Sequence, residues 1–348
     1  MLGLGTARLP LTDKAIGIIR EAIDGGVNYI DLGSPYDPEP YEQRVRLVGR
    51  ALEDGYRDKV KVAASLPAFR IKTASHLDDY LESQLKWLSA DSIDFYLIGG
   101  LDRQTWPGMK QLGVADWLDR KLADGKIGKA GFAFHDDYQT LREIIEGYDK
   151  WSVALFQYSY MDADHHPGAS GIRYAAGQGL GVVVCESMRG GRLTKEPPEL
   201  VVKAWGNALE KHSPAEWALR WVWDQPEVST VLVDMSTVER VRENMALADN
   251  AEAKSLSVPD QILISNVRDA YRALRPVNCT ACRSCMPCPQ GVDAPRIFEL
   301  YNDAVIYGDA ETARYLYRIE GHRIEDCNDC GLCTEKCGRN IDIPGWLK

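Results

Sequence analysis

From residue 1 to about residue 250 the chain repeats one unit eight times, a short β-rich run followed by an amphipathic helical stretch. Runs at 27–32, 60–64, 93–98, 127–132, 153–157, 180–185 and 228–233 are short, contain β-branched residues and are bounded by polar or glycine positions, and residues 2–4 supply a brief first strand. That pattern predicts strands. Helical periodicity fills the intervals at 13–24, 41–52, 77–88, 115–122, 138–145, 172–178, 215–223 and 238–248, and the first helix stops at Gly25-Gly26. Eight such units over about 250 residues suit a closed parallel barrel better than a doubly wound sheet. The predicted fold is therefore α/β, a (β/α)8 TIM barrel, with chemistry expected at the C-terminal ends of its strands.

Beyond the barrel the composition changes. Residues 250–259 are polar and aperiodic, and they predict a linker into a second module. A chain of 348 residues is long enough for a large core at 1–255 and a smaller domain at 260–348. Helical pattern returns at 259–274 and 294–319, where Phe298, Tyr301, Val305 and Tyr315 are the expected packing residues. Outside the barrel alternation the pattern shows no further repeat and no low-complexity tract.

Eight of the nine cysteines fall in two C-terminal runs. Cys279, Cys282, Cys285 and Cys288 form C-x2-C-x2-C-x2-C-P, and Cys327, Cys330, Cys333 and Cys337 form C-x2-C-x2-C-x3-C. Short turns at this spacing aim successive thiolates at a common centre, which suits a cuboidal iron–sulfur cluster. Two quartets predict two [4Fe–4S] clusters in a ferredoxin-like, mainly helical domain, with the fourth cysteine of each run available to the other cluster. Structural zinc is the alternative, although it usually takes two C-x2-C pairs across a longer loop. Disulfides would need an oxidising compartment, and the N-terminus carries no secretion pattern.

With 41 Lys and Arg against 51 Asp and Glu, the formal charge of −10 argues against nucleic-acid partners, which require a basic footprint. No apolar run approaches the roughly 18–20 residues of a membrane helix. The expected location is the cytoplasm.

The segment Gly26-Val27-Asn28-Tyr29-Ile30-Asp31 followed by Tyr36 resembles the aldo/keto reductase signature. Residues 48–52, 126–132 and the stretch from Ser236 through Arg240 to Asn244 agree with it in order. With the cysteine-rich tail, the chain resembles the branch of aldo/keto reductases that carries a C-terminal 4Fe–4S ferredoxin domain. The resemblance implies a catalytic tetrad of Asp, Tyr, Lys and His, in which Tyr is the general acid and the Lys–Asp pair lowers its pKa. Asp31 and Tyr36 match this pattern, but the lysine position reads Ser65 and the histidine position reads Gly99. A phenol titrates near 10 unless a cation assists it. His135, just beyond the fifth strand, is the candidate replacement, against the alternative of a histidine that merely binds a loop carbonyl. His165-His166 in the following loop are a second candidate or plain solvated surface.

Nicotinamide binding is implied only in fragments. Gln157 matches the carboxamide contact, and Arg240 and Asn244 match the adenosine-phosphate and adenine contacts. Cys185 stands where an aromatic should stack, and Asp234 stands where a lysine should meet the 2′-phosphate, so an NAD(P) cofactor is implied by some positions and opposed by others. Cys185 itself reads as a small apolar residue. The glycine-containing loop 188–192 could approach a pyrophosphate. Set against the resemblance, the start at Leu2-Gly3-Leu4-Gly5-Thr6 gives the expectation that the hairpin plugging the barrel base in this family is missing or trimmed.

The function these features predict is an iron–sulfur oxidoreductase passing electrons between its clusters and a small-molecule site at the barrel mouth. Catalysis would fall to Asp31, Tyr36 and His135, with a ferredoxin or similar redox partner. A cluster-dependent enzyme without nicotinamide, running a dehydration or reductive elimination, and a non-catalytic electron carrier are the alternatives. Direct relay would place the cluster domain on the catalytic face, and a linker of about ten residues spans some 30 Å, enough for either face.

Overall fold

A computed structural model describes residues 1–35, 38–164 and 167–348. Tyr36, His165 and His166 therefore lie outside the described residues. Eight strands close a parallel barrel in chain order: β1 (Leu2–Gly5), β2 (Tyr29–Asp31), β3 (Lys61–Pro67), β4 (Ile93–Leu101), β5 (Ile127–Phe134), β6 (Trp151–Gln157), β7 (Gly181–Cys185) and β8 (Val228–Asp234). Each expected strand is present, with ends moved by one to three residues. Those shifts arise because ladder pairing with both neighbours, not local pattern, sets where a strand stops.

Alternation along the strands sorts side chains between the lumen and the surrounding helices. Tyr29, Ala63, Leu97, Val153, Val183 and Leu232 form the lumen core, with Phe95 and Leu155 packed against them. The Tyr29 and Phe95 rings sit 5.5 Å apart. The inward positions of β1 are glycines, and their neighbours lean over them. A Cβ on Gly3 would meet Leu232 at 2.8 Å and Tyr29 at 3.3 Å.

The flanking helices include α1 (Lys14–Asp24), α2 (Pro38–Ala51), α3 (Ser75–Leu88), α4 (Thr105–Gln111), α5 (Val114–Ala123), α6 (Tyr138–Glu146), α7 (Gly168–Gly177), α9 (Pro214–Trp223) and α10 (Val238–Ala248). Helix α4 and a short helix α8 (Glu199–Trp205) were not predicted, because seven residues are too few for a periodicity to show. Between α2 and α3 the buried Gln84 carboxamide donates to the Tyr41 hydroxyl at 2.8 Å and to the Ser65 carbonyl at 2.9 Å, and accepts from Tyr96 at 2.8 Å. Gly49 in α2 lets that helix approach the end of α3, since a Cβ there would lie 2.6 Å from the Leu88 carbonyl oxygen. Gly49→Ala is expected to destabilise the barrel by about 1–3 kcal/mol, despite alanine's better helix propensity. Denaturant unfolding of variant and wild type would reveal it, and an unchanged midpoint would contradict the close approach.

The chain divides into two compact units, residues 1–190 with 215–256 and residues 191–214 with 257–348. The second unit thus takes in the segment between β7 and α9. It contains α8, α11 (Val258–Ala273), α12 (Ala294–Ile306), α13 (Ala310–Ile319), α14 (Leu332–Glu335) and α15 (Ile343–Leu347). Helix α8 packs on α11. The Arg192 guanidinium pairs with Asp303 at 2.6 Å and lies 5.8 Å from the Tyr307 ring centre. The expected continuous helix at 294–319 is two helices broken at Gly308, which takes a left-handed φ of +60°. Of its expected packing residues, Phe298 is buried, but Tyr301, Val305 and Tyr315 are exposed. Tyr301 and Val305 lie on α12 away from its buried residues Phe298, Leu300 and Ile306, and Tyr315 lies on α13, which has no buried residue.

Candidate functional site

The barrel mouth is assembled from the last inward residue of each strand. Asp31 ends β2 and Asp234 ends β8, and both are register partners of Gly5, which lies between them on β1. A Cβ on Gly5 would sit 2.6 Å from the Asp234 Oδ1 atom, so the glycine makes room for that carboxylate. The Ala7 N–H donates to Asp234 at 3.1 Å, and Arg8 and Arg44 lie close enough to favour its charged form against burial. Asp31 is held differently. It is 6% exposed, and its Oδ1 accepts from the Gly33 N–H at 2.7 Å. Burial pushes its carboxyl up to about 7, the Gly33 bond opposes this, and the Asp234 charge adds to it.

Ser65 and Gly99, where the resemblance implied Lys and His, are buried at the ends of β3 and β4, and the Gly99 Cβ position lies 3.3 Å from the Ser65 Cβ. The two positions are neighbours, as the tetrad requires, but they hold no proton-transfer group. A side chain on Gly99 would also crowd the Leu66 carbonyl oxygen at 3.0 Å. Among the described residues, the Asp31 Oδ2, the Tyr29 hydroxyl and the Thr6 hydroxyl are buried without a hydrogen-bond partner. Buried polar atoms of this kind are rare, and at a strand end they mark where a bound group or water can be held.

His135 follows β5 at the same end of the barrel, and its backbone N–H bonds the Leu101 carbonyl at 3.4 Å. Its side chain is exposed, whereas Asp31 is buried, and their strands stand three apart around the ring. Asp136, beside it, is committed to Arg103, whose guanidinium reaches it at 2.5 Å and also reaches Asp137 at 2.5 Å. Gln157 and Cys185 are register partners at the ends of β6 and β7, with Gln157 exposed. Burial pushes the Cys185 thiol up, and Glu186, Asp31 and Asp234 add to this. Arg240 is exposed in the first turn of α10, where its N–H caps onto Thr237. The Asn244 amide turns back onto the Arg240 carbonyl at 2.8 Å. The loop after β7 carries left-handed conformations at Glu186, Arg189, Gly190 and Gly191, and Arg189 pairs with Asp162. Non-glycine residues held this way store strain that the surrounding contacts must offset.

In the second unit the cysteines sort by cavity, not by run. One cavity is lined by Cys279, Cys282 and Cys285 with Cys337, and the other by Cys327, Cys330 and Cys333 with Cys285 and Cys288. Each cavity therefore sets the last cysteine of one run beside the first three of the other, with Cys285 bordering both. Among the described residues no group of three or more His, Cys, Asp or Glu is placed to hold a single metal ion. All-thiolate donors around a cavity fit an iron–sulfur cluster. The Ala281 N–H points to the Cys279 sulfur at 3.4 Å, the kind of bond that tunes such a centre.

A repeat missed in the sequence underlies this arrangement. Left-handed residues stand two and four positions past the first cysteine of each run, Ala281 and Arg283 in one and Asp329 and Gly331 in the other. Gly291 and Asn340 repeat three positions past the last cysteine, again left-handed. Asp293 and Asp342 then cap α12 and α15 ahead of Pro295 and Pro344. The small core is the same repeat seen again, pairing Val292 with Ile341, Ala294 with Ile343 and Phe298 with Leu347, plus Val277. Asn302 clamps Val277 through both its amide atoms, at 3.0 and 2.8 Å, and so anchors the first run. The signal was available as two C…D-x-P strings at matching offsets.

A closed eight-stranded barrel with site residues at its strand ends defines the class, a TIM-barrel protein joined to a cysteine-rich cluster module. Residues 1–256 match the aldo/keto reductase family, and residues 278–341 match the 4Fe-4S dicluster domain. The chain belongs to the aldo/keto reductase family and carries a C-terminal 4Fe–4S dicluster domain. It is 24% identical over 304 residues to the uncharacterized oxidoreductase YqkF of Bacillus subtilis, covering 79% of this chain and 93% of that protein. The aldo-keto reductase AKR11C1 from Bacillus halodurans, in its holo form, has the same fold with a TM-score of 0.65 at 19% identity, over 76% of this chain and 91% of that one. An aldo/keto reductase from Klebsiella pneumoniae, solved in complex with NADP and acetate, has a TM-score of 0.60 at 20% identity, over 77% and 90%. Among the described residues, no helix is long and apolar enough to cross a membrane.

Proposed function

We propose that this protein is an iron–sulfur oxidoreductase in which two [4Fe–4S] clusters exchange electrons with a small molecule at the barrel mouth. The observation that carries this is the sorting of eight cysteines around two cavities, three from one run and the last from the other. Bound clusters would supply single electrons at low potential. Asp31, Tyr36 and His135 are the residues proposed to orient and protonate the small molecule, and the electrons would come from a ferredoxin-like partner.

Hydride delivery from NAD(P)H is the weaker route. Gln157, Arg240 and Asn244 are its proposed contacts, but the Asn244 amide is spent on its own helix and Asp234 puts a carboxylate where a phosphate would need a cation. The lost Lys and His remove proton-transfer help of the kind worth roughly 10²–10⁴-fold. Their absence favours a second reading, a cluster-dependent reaction without nicotinamide, such as a dehydration or reductive elimination.

Anaerobically purified protein is expected to be brown, with about eight irons and eight sulfides per chain. Its visible absorbance should bleach with a low-potential donor and stay unchanged with NADPH. Stoichiometric zinc without acid-labile sulfide would refute the clusters. Brisk aldehyde reduction by NADPH alone would instead restore the hydride route.

A further inference from the structure

The barrel mouth holds two carboxyl groups whose surroundings differ, with a glycine between them. Burial pushes the Asp234 carboxyl up, but the Ala7 N–H and the nearby cations Arg8 and Arg44 oppose this and favour its charged form. Among the described residues Asp31 has only the Gly33 N–H, on Oδ1. Among the described residues its other oxygen meets no donor, and the adjacent strand offers Ala63 and Ser65 in place of a cation. A buried ionised oxygen without a donor is costly, whereas a protonated one loses far less on leaving water.

We propose that the Asp31 carboxyl is itself the proton donor of the mouth, with Asp234 across Gly5 as the charged group that keeps the proton there. Backbones two strand spacings apart are roughly 9.5 Å from each other, so the two carboxyls act on one another mainly through the field. Burial raises both carboxyls, but only Asp234 has cations beside its backbone donors to oppose it, so Asp31 is the one that carries the proton near neutrality. The direction of the Asp31 shift agrees with that geometry. Titratable or charged groups facing the pair are Tyr29 on the same strand, Cys185 and Glu186 at the end of β7, Arg8 after β1, and Tyr41 and Arg44 on α2. Delivery breaks the Asp31 O–H bond and forms an O–H bond on the substrate oxygen. The carboxylate left behind regains its proton from solvent. Taking a carbonyl to an alcohol would use two electrons, one from each of two reduced iron–sulfur centres, and a second proton from solvent for the new C–H bond. This assignment rests on the proposed reduction at the mouth and gives Asp31 a task that a lysine-assisted phenol would otherwise perform.

Infrared spectra of the full-length protein, stepped from acid to alkaline pH, test it through the C=O stretch of a protonated carboxyl. A buried carboxylic acid band should disappear with a midpoint near neutrality and be missing in Asp31→Asn. In Asp234→Asn the band should remain, with its midpoint moved to lower pH, because a like charge has been removed. No such band, a band that survives in Asp31→Asn, or an unmoved midpoint in Asp234→Asn would each overturn the proposal. Should Asp31→Asn fail to fold, the Asp234→Asn midpoint decides alone. The measurement uses neither iron nor substrate, so its failure would leave the electron relay standing, and failure of the relay would leave the carboxyl result intact.

Discussion

Replacing Cys337 with Ser is expected to damage the cluster of the first cysteine run, not that of its own. Cys337 lines the cavity of Cys279, Cys282 and Cys285, whereas Cys288 lines that of Cys327, Cys330 and Cys333. A serine oxygen is a poorer ligand than a thiolate, so one site should empty or degrade and iron should fall from about eight toward about four per chain. Pairing the substitutions identifies which site. Cys282→Ser with Cys337→Ser removes two ligands of one cavity and should leave about four irons, no fewer than either single change. Cys330→Ser with Cys337→Ser strikes both cavities and should leave almost none. Iron and sulfide analysis with electron paramagnetic resonance reads the difference, and the reverse pattern would mean that each run ligates its own cluster.

Asp31→Asn is expected to stabilise the barrel at alkaline pH and to do much less in acid. An ordinary aspartate ionises near 4 when unfolded, but Asp31 in the fold does so at about 7. Between those values the folded state holds a proton that the unfolded state has released, so stability falls as pH rises through this window. The full shift corresponds to at most about 4 kcal/mol, at about 1.36 kcal/mol per pH unit. Asparagine carries no charge to bury and keeps an oxygen for the Gly33 N–H. Denaturant unfolding of both proteins at pH 5 and pH 8 should therefore show a gap that widens with pH. A gap independent of pH would mean that Asp31 is solvated or paired in the fold. A stabilising loss of this kind is the usual mark of a group kept for chemistry.

Seven of the eight strands were legible because they combine β-branched residues with glycine or polar boundaries, β1 being a bare Leu-Gly-Leu-Gly, and the helices between them keep a 3.6-residue period. Alternation of the two leaves a closed parallel barrel as the economical solution. The cysteine runs were legible for a different reason, since thiolate spacing reports cluster geometry directly. Asp31 is a candidate through the Val27–Asp31 strand and its resemblance, and Ser65 and Gly99 stand out as departures from that pattern.

Other features exist only in three dimensions. That Asp31 and Asp234, 203 positions apart, flank one glycine follows from β1 lying between β2 and β8, a consequence of ring closure. The sorting of Cys337 with the first run needs the two halves of the repeat to fold back on a shared core of Val292, Phe298, Ile341 and Ile343. Residues 191–214 join the C-terminal unit through Arg192 and Asp303, a contact that no local pattern announces. Local propensity and ligand spacing are properties of neighbouring residues, so the sequence alone determined the barrel and the cluster module. Charge pairing, burial and ligand exchange depend on which distant segments meet, and only the tertiary structure decided those.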